Sequence, residues 1–240
     1  MNKEQNIIES TNAGLSTKPA IDGYTVLPAV PSSEVYLEDC VKALKRYADN
    51  HFDLAIVDPP YGLGLGTVSI PSEKNTNSQQ KFYKDLKSKR WDDNTPNKEY
   101  FDELKRVSKN QIVWGGNYMA EHLGNTKCII IWDKMTYIPT MSQYEFAFCS
   151  FNKHPKMVKI NSTDIDRMHP TQKPIKLYDW LLHHYAKEGD LILDTHLGSG
   201  SSRIACHKGG FNFVGFEIDP EYYEKQNKRF NDFISQLRMF

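Results

Sequence analysis

Residues 191–202 read LILDTHLGSGSS, an apolar run that ends on Asp194 and passes into two closely spaced glycines. The run 191–193 predicts a strand buried in a parallel sheet, where both faces of the strand are covered. Gly198 and Gly200 permit a tight turn, and the residues that follow can open a helix. In sheets built from such units, ligands bind beyond the carboxyl ends of the strands. This stretch therefore predicts an α/β fold with Asp194 at a ligand-facing strand end.

The rest of the chain repeats this alternation of apolar runs with helical patterns. Apolar residues recur at helical intervals at Tyr100, Phe101, Leu104 and Val107, for example. Six further apolar runs predict strands at 35–37, 52–57, 111–114, 128–132, 144–148 and 211–216. Strands that alternate with helices specify a doubly wound sheet with helices on both faces. The predicted fold is a mostly parallel, seven-stranded, Rossmann-like sheet.

The glycine turn is followed by a second acidic residue at a strand end. Seventeen residues beyond Gly200, Glu217 ends the next predicted strand, a position from which a carboxylate can accept both hydroxyls of a ribose. Taken alone, the turn also fits a dinucleotide-dependent dehydrogenase. The three-glycine fingerprint G-x-G-x-x-G is absent, however, because Arg203 stands where the third glycine would be.

Length and hydropathy indicate a single domain. A chain of 240 residues suits one α/β domain with insertions better than two separate cores. Residues 1–30 are polar and aperiodic, which predicts a flexible N-terminal arm ahead of one domain at 31–240. No apolar run approaches the roughly 18 residues of a membrane span, and the polar beginning lacks the apolar stretch of a secretory signal. We therefore expect a cytoplasmic protein without membrane contact.

The cysteine and histidine residues give no sign of a metal site or a disulfide framework. The four cysteines are too far apart to form a C-x-x-C pair, and a reducing cytoplasm would keep them as thiols. No histidine and cysteine cluster has the spacing of a metal site. The sequence therefore predicts no bound metal ion.

Charge is balanced overall but concentrated locally. Thirty basic residues match thirty acidic ones, so nucleic acid would have to be attracted by local surfaces. Residues 73–90 and 151–176 each carry six lysines and arginines against two acidic residues. The predicted loops 62–96 and 151–168 are therefore candidate nucleic-acid-facing surfaces, with solvated loops as the alternative. Candidate contacts are Lys84, Lys87, Lys89, Arg90, Lys153, Lys156, Lys159 and Arg167.

Three more motifs have family character: DPPYG at 58–62, WGGNY at 114–118 and HPTQKP at 169–174. Together with LDTHLGSGS at 193–201, they resemble the DNA amino-methyltransferases, which methylate adenine N6 or cytosine N4. Their order is that of the circularly permuted β class, in which the catalytic motif precedes the cofactor motif. The resemblance covers about residues 34–237. It implies a permuted methyltransferase sheet in a single catalytic domain, S-adenosylmethionine as the cofactor and DNA as the substrate.

The resemblance also implies roles around the cofactor. Only one helix follows Glu217, so the permuted order requires run 35–37 to supply the third strand of the cofactor-binding half. Glu217 would then hold the ribose, Asp39 would contact the adenine, and Asp194 would lie by the methionine amino group. The implied cofactor residues are Asp39, His169, Thr171, Lys173, Asp194, Gly198, Ser199, Gly200 and Glu217.

Within HPTQKP, the resemblance places Thr171 and Lys173 beside the methionine carboxylate. One departure from the family pattern follows Asp194, where Pro and Phe are common and this chain has Thr195 and His196. Whether His196 replaces the usual aromatic contact with the cofactor is left open by the sequence.

The resemblance assigns catalysis to Asp58, Pro59, Pro60 and Tyr61. The amine of a base is a poor nucleophile because its lone pair is delocalised into the ring, so the site must hold that amine. Asp58 and the Pro59 carbonyl can accept one hydrogen bond each from it, Pro60 stiffens the turn, and Tyr61 can stack on an extruded base. Direct in-line transfer then needs positioning more than acid–base chemistry.

DPPY favours adenine N6 as the target, with cytosine N4 as the nearest alternative. A related NPPY signature belongs to enzymes that methylate protein glutamine, but Asp58 and HPTQKP both favour DNA. A further alternative is a cofactor-retaining DNA-binding subunit that needs a partner to act, against which the intact DPPY argues. A homodimer and a cognate restriction enzyme stay open as partners, and base-reading side chains follow no portable code in this fold.

Overall fold

The chain folds around one eight-stranded sheet in its computed structural model, which describes residues 30–64, 92–136, 142–162 and 172–237. The strands lie in the order β1-β8-β7-β2-β3-β5-β4-β6. They are β1 Ser33–Leu37, β2 Phe52–Val57, β3 Ser108–Trp114, β4 Cys128–Asp133, β5 Tyr144–Cys149, β6 Lys156–Lys159, β7 Leu191–Asp194 and β8 Asn212–Glu217.

Helices cover both faces of this sheet. Over the described ranges they are α1 Cys40–Leu44, α2 Lys98–Val107, α3 Ala120–Leu123, α4 Ile175–Tyr185, α5 Ser201–Gly209 and α6 Pro220–Leu237, with a 3-10 turn at Gly116–Tyr118. Successive residues of β2 point to opposite faces, so Ile56 packs in the cluster that includes α4 and α5, and Val57 in the cluster that includes α1 and α2. No helix in the described part of the chain is long and apolar enough to cross a membrane.

The sheet is mostly parallel, as the sequence predicts. Every strand pair is parallel except those made by β5, which runs antiparallel to both β3 and β4. The α/β class and the doubly wound arrangement are therefore confirmed.

The number of strands differs from the prediction of seven. The eighth strand, β6, lies inside the predicted loop 151–168 and pairs parallel with β4 at the edge of the sheet. Its sequence KMVK has only two apolar residues, and Val158 alone among the four is buried. Exposed lysines on an edge strand discourage pairing with another chain, and they also hide the strand from hydropathy patterns.

The first strand pairs with the last. β1 lies parallel to β8, with Val35 opposite Gly215 and Leu37 opposite Glu217. This is the pairing that a permuted order requires. The circular permutation itself stays an interpretation of the motif order.

The carboxyl ends of the parallel strands meet at one edge of the sheet and bring the predicted site residues together. β2 leads into Asp58, β7 ends at Asp194, and β8 ends at Glu217. Because β5 is antiparallel, its first residues, including Glu145, lie at this same edge. The edge therefore collects acidic residues from four of the eight strands.

Candidate active site

A single cavity of about 570 Å³ opens at the carboxyl edge of the sheet. One end is lined by the DPPY turn, including Asp58 and Tyr61, and the other by Gly198, Ser199 and Glu217. The two motifs that the sequence places 140 residues apart therefore share one space, large enough for a nucleoside-sized ligand and a base together.

The Asp58 carboxylate is engaged on both of its oxygens. The Tyr61 hydroxyl donates to Oδ1 at 2.7 Å, and the Lys173 ammonium lies 2.6 Å from Oδ2. Burial raises the pKa of Asp58, an effect that Lys173 opposes. Asp58 thus stands at the cavity wall as a hydrogen-bond acceptor whose present partners come from the protein itself.

The turn after Asp58 is fixed by Asp92, a residue that no sequence motif singles out. Its Oδ1 accepts hydrogen bonds from the backbone N–H groups of Tyr61, at 2.7 Å, and Gly62, at 3.1 Å. The Asp92 side chain is buried. Two backbone donors held by one buried carboxylate give the DPPYG turn a defined geometry.

Tyr61 is also positioned by the WGGNY motif. The Tyr118 ring stacks on the Tyr61 ring, with centroids 5.4 Å apart and an interplanar angle of 22°. Gly115 has a φ of +66°, and a Cβ there would collide with the Tyr61 ring. The motif therefore needs glycine at 115, because only glycine lets the aromatic ring approach so closely.

A partly buried ion cluster surrounds Asp58. Lys173 Nζ lies 3.1 Å from Glu145 Oε2 as well as 2.6 Å from Asp58, and Lys134 Nζ lies 2.7 Å from Glu145 Oε1. Burial alone would raise the pKa of Glu145, but Lys173 and Lys134 hold it at about 2. Burial disfavours the charged form of Lys173, yet Asp58 and Glu145 outweigh it and raise the Lys173 pKa. Glu145 has two cationic neighbours and Asp58 has one, so the pKa of Glu145 is lowered while that of Asp58 is raised.

The structure places Lys173 against the catalytic motif, whereas the family resemblance places it beside the methionine carboxylate. Its ammonium also lies 5.5 Å from the Tyr61 ring centroid and 5.3 Å from that of Trp114. With the side chain 3% exposed and held by two carboxylates, Lys173 acts on Asp58 in this structure. The other members of its motif that were predicted to bind cofactor, His169 and Thr171, lie outside the described residues.

At the opposite end of the cavity, Glu217 holds the glycine turn. Its Oε2 accepts from the Gly198 N–H at 2.8 Å and its Oε1 from the Asp219 N–H at 2.9 Å. Burial raises the Glu217 pKa, and these backbone donors oppose that rise. Gly198 and Gly200 have φ values of +53° and +72°, which favour glycine. A carboxylate with further lone pairs at the cavity wall can accept ligand hydroxyls.

Asp194 lies behind the cavity wall and does not line the space itself. Its carboxylate accepts from the Ser202 hydroxyl at 2.5 Å and the His196 N–H at 3.0 Å. Burial raises the Asp194 pKa to about 7. Gly200 is likewise outside the lining, because it packs against Gln226, and a Cβ at Gly200 would approach the Gln226 Cβ to 3.1 Å.

His196, the departure from the family pattern, does line the cavity. Its Nδ1 lies 2.9 Å from the Thr195 hydroxyl, which in turn lies 2.7 Å from the Tyr100 hydroxyl. Burial lowers the His196 pKa to about 4, so a neutral ring faces the ligand space near neutral pH. Asp39 also lines the cavity, and its side chain caps α1 by accepting from the Lys42 N–H at 2.9 Å.

The predicted DNA contacts in the second basic segment fall at different ends of the sheet. Lys153 donates to the carbonyl of His184 at 2.9 Å, near the end of α4. Lys173, which lines the cavity, lies just before the beginning of α4, so Lys153 lies at the other end of this helix from the cavity. Lys156 begins β6 and Lys159 ends it, and β6 is parallel to β4, so Lys159 is the one at the cavity edge. Lys84, Lys87, Lys89, Arg90 and Arg167 lie outside the described residues.

The family comparison covers the part of the chain that holds WGGNY, HPTQKP and the glycine turn, and DPPYG lies outside it. A family model described as a DNA methylase matches residues 113–228. Two curated relatives are similar along most of the chain. Type II methyltransferase M2.MboI of Moraxella bovis is 25% identical, over an alignment that covers 85% of this chain and 89% of the relative. Type II methyltransferase M.HpaI of Haemophilus parainfluenzae is also 25% identical, covering 82% of this chain and 75% of its own.

Solved structures show the same fold. The M1.HpyAVI–SAM complex superposes with a TM-score of 0.55 at 18% identity, covering 82% of this chain and 98% of that one. The PvuII DNA methyltransferase, described as cytosine-N4-specific, superposes with a TM-score of 0.57 at 15% identity, and the superposition covers 85% of this chain and 88% of that one. At these identities the likeness concerns the fold.

Proposed function

We propose that this chain, a DNA methyltransferase of the family that acts on adenine N6 or cytosine N4, methylates adenine N6 in DNA. One observation carries the proposal: a single cavity joins the Asp58 to Tyr61 turn with the wall formed by Gly198, Ser199 and Glu217. An amine-holding motif and a ribose-binding wall in one space are the two halves that a methyl-transfer site needs.

S-adenosylmethionine is the cofactor, and the residues at the glycine-turn end of the cavity fit it. Glu217 offers carboxylate lone pairs to ribose hydroxyls, the positive-φ glycine turn allows close approach, and Asp39 lines the same wall. Structures of relatives in complex with this cofactor support the assignment. When bound, the cofactor supplies an activated methyl group on a sulfonium, so the chain has to provide alignment.

The DPPY turn performs that alignment. Asp58 and the backbone carbonyl of Pro59 accept the two N–H groups of the base amine, which directs the nitrogen lone pair toward the methyl group. Tyr61 stacks on the base after extrusion from the duplex. The nitrogen gains a methyl group and loses one proton, and Asp58, whose pKa is raised by burial, lies where it can accept that proton.

The choice of adenine follows from the resemblance of DPPY to adenine-specific motifs. Cytosine N4 is the second candidate, because the PvuII enzyme with the same fold is described as cytosine-N4-specific. Single-molecule sequencing of DNA from a host that expresses the chain reports the modified base and its sequence context together. Adenine modification at a fixed motif is the expected outcome.

Two segments, 62–96 and 151–168, are proposed to face DNA. Lys159 supports this for the second segment, because it is exposed at the cavity edge of the sheet. Phosphate contacts from such lysines position the duplex without reading its sequence.

Purified chain tested alone separates an enzyme from a DNA-binding subunit that needs a partner. We expect the wild type to incorporate labelled methyl groups from S-adenosylmethionine into DNA without any second protein. Asp58→Ala should abolish incorporation while cofactor affinity stays within a few-fold, because Asp58 holds the base amine. Equal loss of transfer and cofactor binding would show that Asp58 serves the cofactor instead.

A further inference from the structure

Both oxygens of the acceptor that the base amine needs already have a protein partner. Asp58 Oδ1 accepts from the Tyr61 hydroxyl at 2.7 Å and Oδ2 faces the Lys173 ammonium at 2.6 Å. A base amine that enters the cavity therefore shares the Asp58 carboxylate with these two donors, because each oxygen keeps a second lone pair. Asp58 becomes the stronger acceptor for the amine when the two donors move to another carboxylate.

Glu145 contacts both of those donors. Its Oε2 lies 3.1 Å from Lys173 Nζ and accepts from the Tyr61 hydroxyl at 3.2 Å. Both contacts are longer than the corresponding ones to Asp58, so Glu145 is the weaker partner of each donor in this structure. Lys173 and Tyr61 can shorten these contacts by small movements and need not become exposed.

Lys134 keeps Glu145 in place for this exchange. It pairs with Oε1 at 2.7 Å and leaves Oε2 directed at Lys173 and Tyr61. The two partly buried carboxylates and the two ammoniums balance in charge, so moving Lys173 from one carboxylate to the other leaves this buried cation with an anion throughout.

We propose that Glu145 is a positioning residue that takes over the Lys173 ammonium and the Tyr61 hydroxyl as the base amine binds, and so frees Asp58 to hold that amine. The inference rests on the proposed methyl-transfer function. It adds a specific event to that function, the transfer of two hydrogen-bond donors between neighbouring carboxylates.

Glu145→Gln tests the exchange because the amide keeps the size of the side chain and removes its charge. Lys173 then stays on Asp58, and we expect kcat to fall about 10- to 100-fold, the size of losing a hydrogen bond to a charged partner. Cofactor affinity and DNA affinity should stay within about twofold. Fluorescence of 2-aminopurine at the target position should also be unchanged, because that base lacks the 6-amino group that Asp58 holds.

The pH profile separates this role from a structural one. Asp58 faces Lys173, Tyr61 and Glu145, with Asp194 as a more distant acidic neighbour. The Glu145 charge raises the pKa of Asp58, so its removal should move the acid limb of the kcat profile to lower pH. Glu145→Asp keeps the charge but shortens the reach, so kcat should fall while the acid limb stays in place.

Glu224→Gln, on an exposed position of α6, is the matched control and should behave as the wild type. Wild-type kcat in both Glu145 variants would overturn the proposal, as would a fall in kcat that merely follows lost cofactor binding or a lowered melting temperature. If Glu145→Gln does not fold, kcat and the acid limb of Glu145→Asp decide the matter. An inactive wild type would instead refute the methyl-transfer function itself.

Discussion

Replacing Glu217 by glutamine should weaken cofactor binding selectively. The Glu217 carboxylate accepts the Gly198 N–H at 2.8 Å and the Asp219 N–H at 2.9 Å, and it keeps lone pairs for a ribose. Glutamine offers one oxygen and a donor in their place. One backbone N–H therefore loses its acceptor, and the ribose loses contact with a charged group.

The size of the effect follows from these contacts. A hydrogen bond to a charged group contributes about 1.5–3 kcal/mol and a neutral one about 0.5–1.5 kcal/mol. Losing the charged ribose contact should cost about 1.5–3 kcal/mol of binding free energy, and exchanging it for a neutral contact about 1 kcal/mol, so Kd should rise about 5- to 150-fold. Glu217 is 8% exposed, so solvent does little to screen the change.

Isothermal titration calorimetry with S-adenosylmethionine and with S-adenosylhomocysteine measures this loss directly. Both ligands carry the ribose, so both should weaken by the same factor. A Kd within twofold of the wild type, in a variant with an unchanged melting temperature, would show that the ribose is held elsewhere. Glu224→Gln provides the control for removal of an exposed carboxylate.

Three other perturbations test separate parts of the site. Asp92→Ala leaves the N–H groups of Tyr61 and Gly62 without their acceptor, so guanidinium denaturation should show a loss of about 2–4 kcal/mol together with a lower kcat; unchanged kcat would separate Asp92 from catalysis. Because burial raises the Asp194 pKa to about 7, the folded state binds the extra proton between about pH 4 and 7, and its contribution to the free energy of unfolding declines as pH rises through that window. Asp194→Asn should remove this decline in denaturation measured across that range, and an unaltered slope would contradict the assignment. The first basic cluster consists of Lys84, Lys87, Lys89 and Arg90. Replacing all four by alanine should weaken DNA binding and lower the log–log slope of its salt dependence by about 0.9 per lost phosphate contact, with cofactor affinity unchanged. If DNA affinity and slope are both retained, the cluster is a solvated loop.

The central strands could be predicted because their patterns are strong. The run 52–57 coincides with β2, because only Asp53 near its start interrupts the apolar residues expected of a strand buried on both faces. The glycine turn before α5 was recognisable because positive φ values favour glycine, and Gly198 and Gly200 have them. The edge strand β6 was missed because its two lysines, Lys156 and Lys159, are exposed.

The ion cluster could not be read from the sequence. Glu145 is the one charged residue of the strand YEFAFC, so hydropathy gives no reason to place it inside a site. Only the antiparallel direction of β5 brings it beside Asp58, and strand direction is a tertiary property. Asp92 likewise contacts Tyr61 across 31 residues of sequence, and no spacing rule encodes that contact.

Nucleoside analysis of methylated DNA tests the central claim most directly. Purified wild-type chain is incubated with S-adenosylmethionine and unmethylated DNA, and the DNA is digested and separated by liquid chromatography with mass spectrometry. We expect N6-methyladenine to accumulate with the wild type and to be absent with Asp58→Ala. Accumulation of N4-methylcytosine would contradict the adenine assignment, and the absence of any methylated base would contradict methyl transfer by this site.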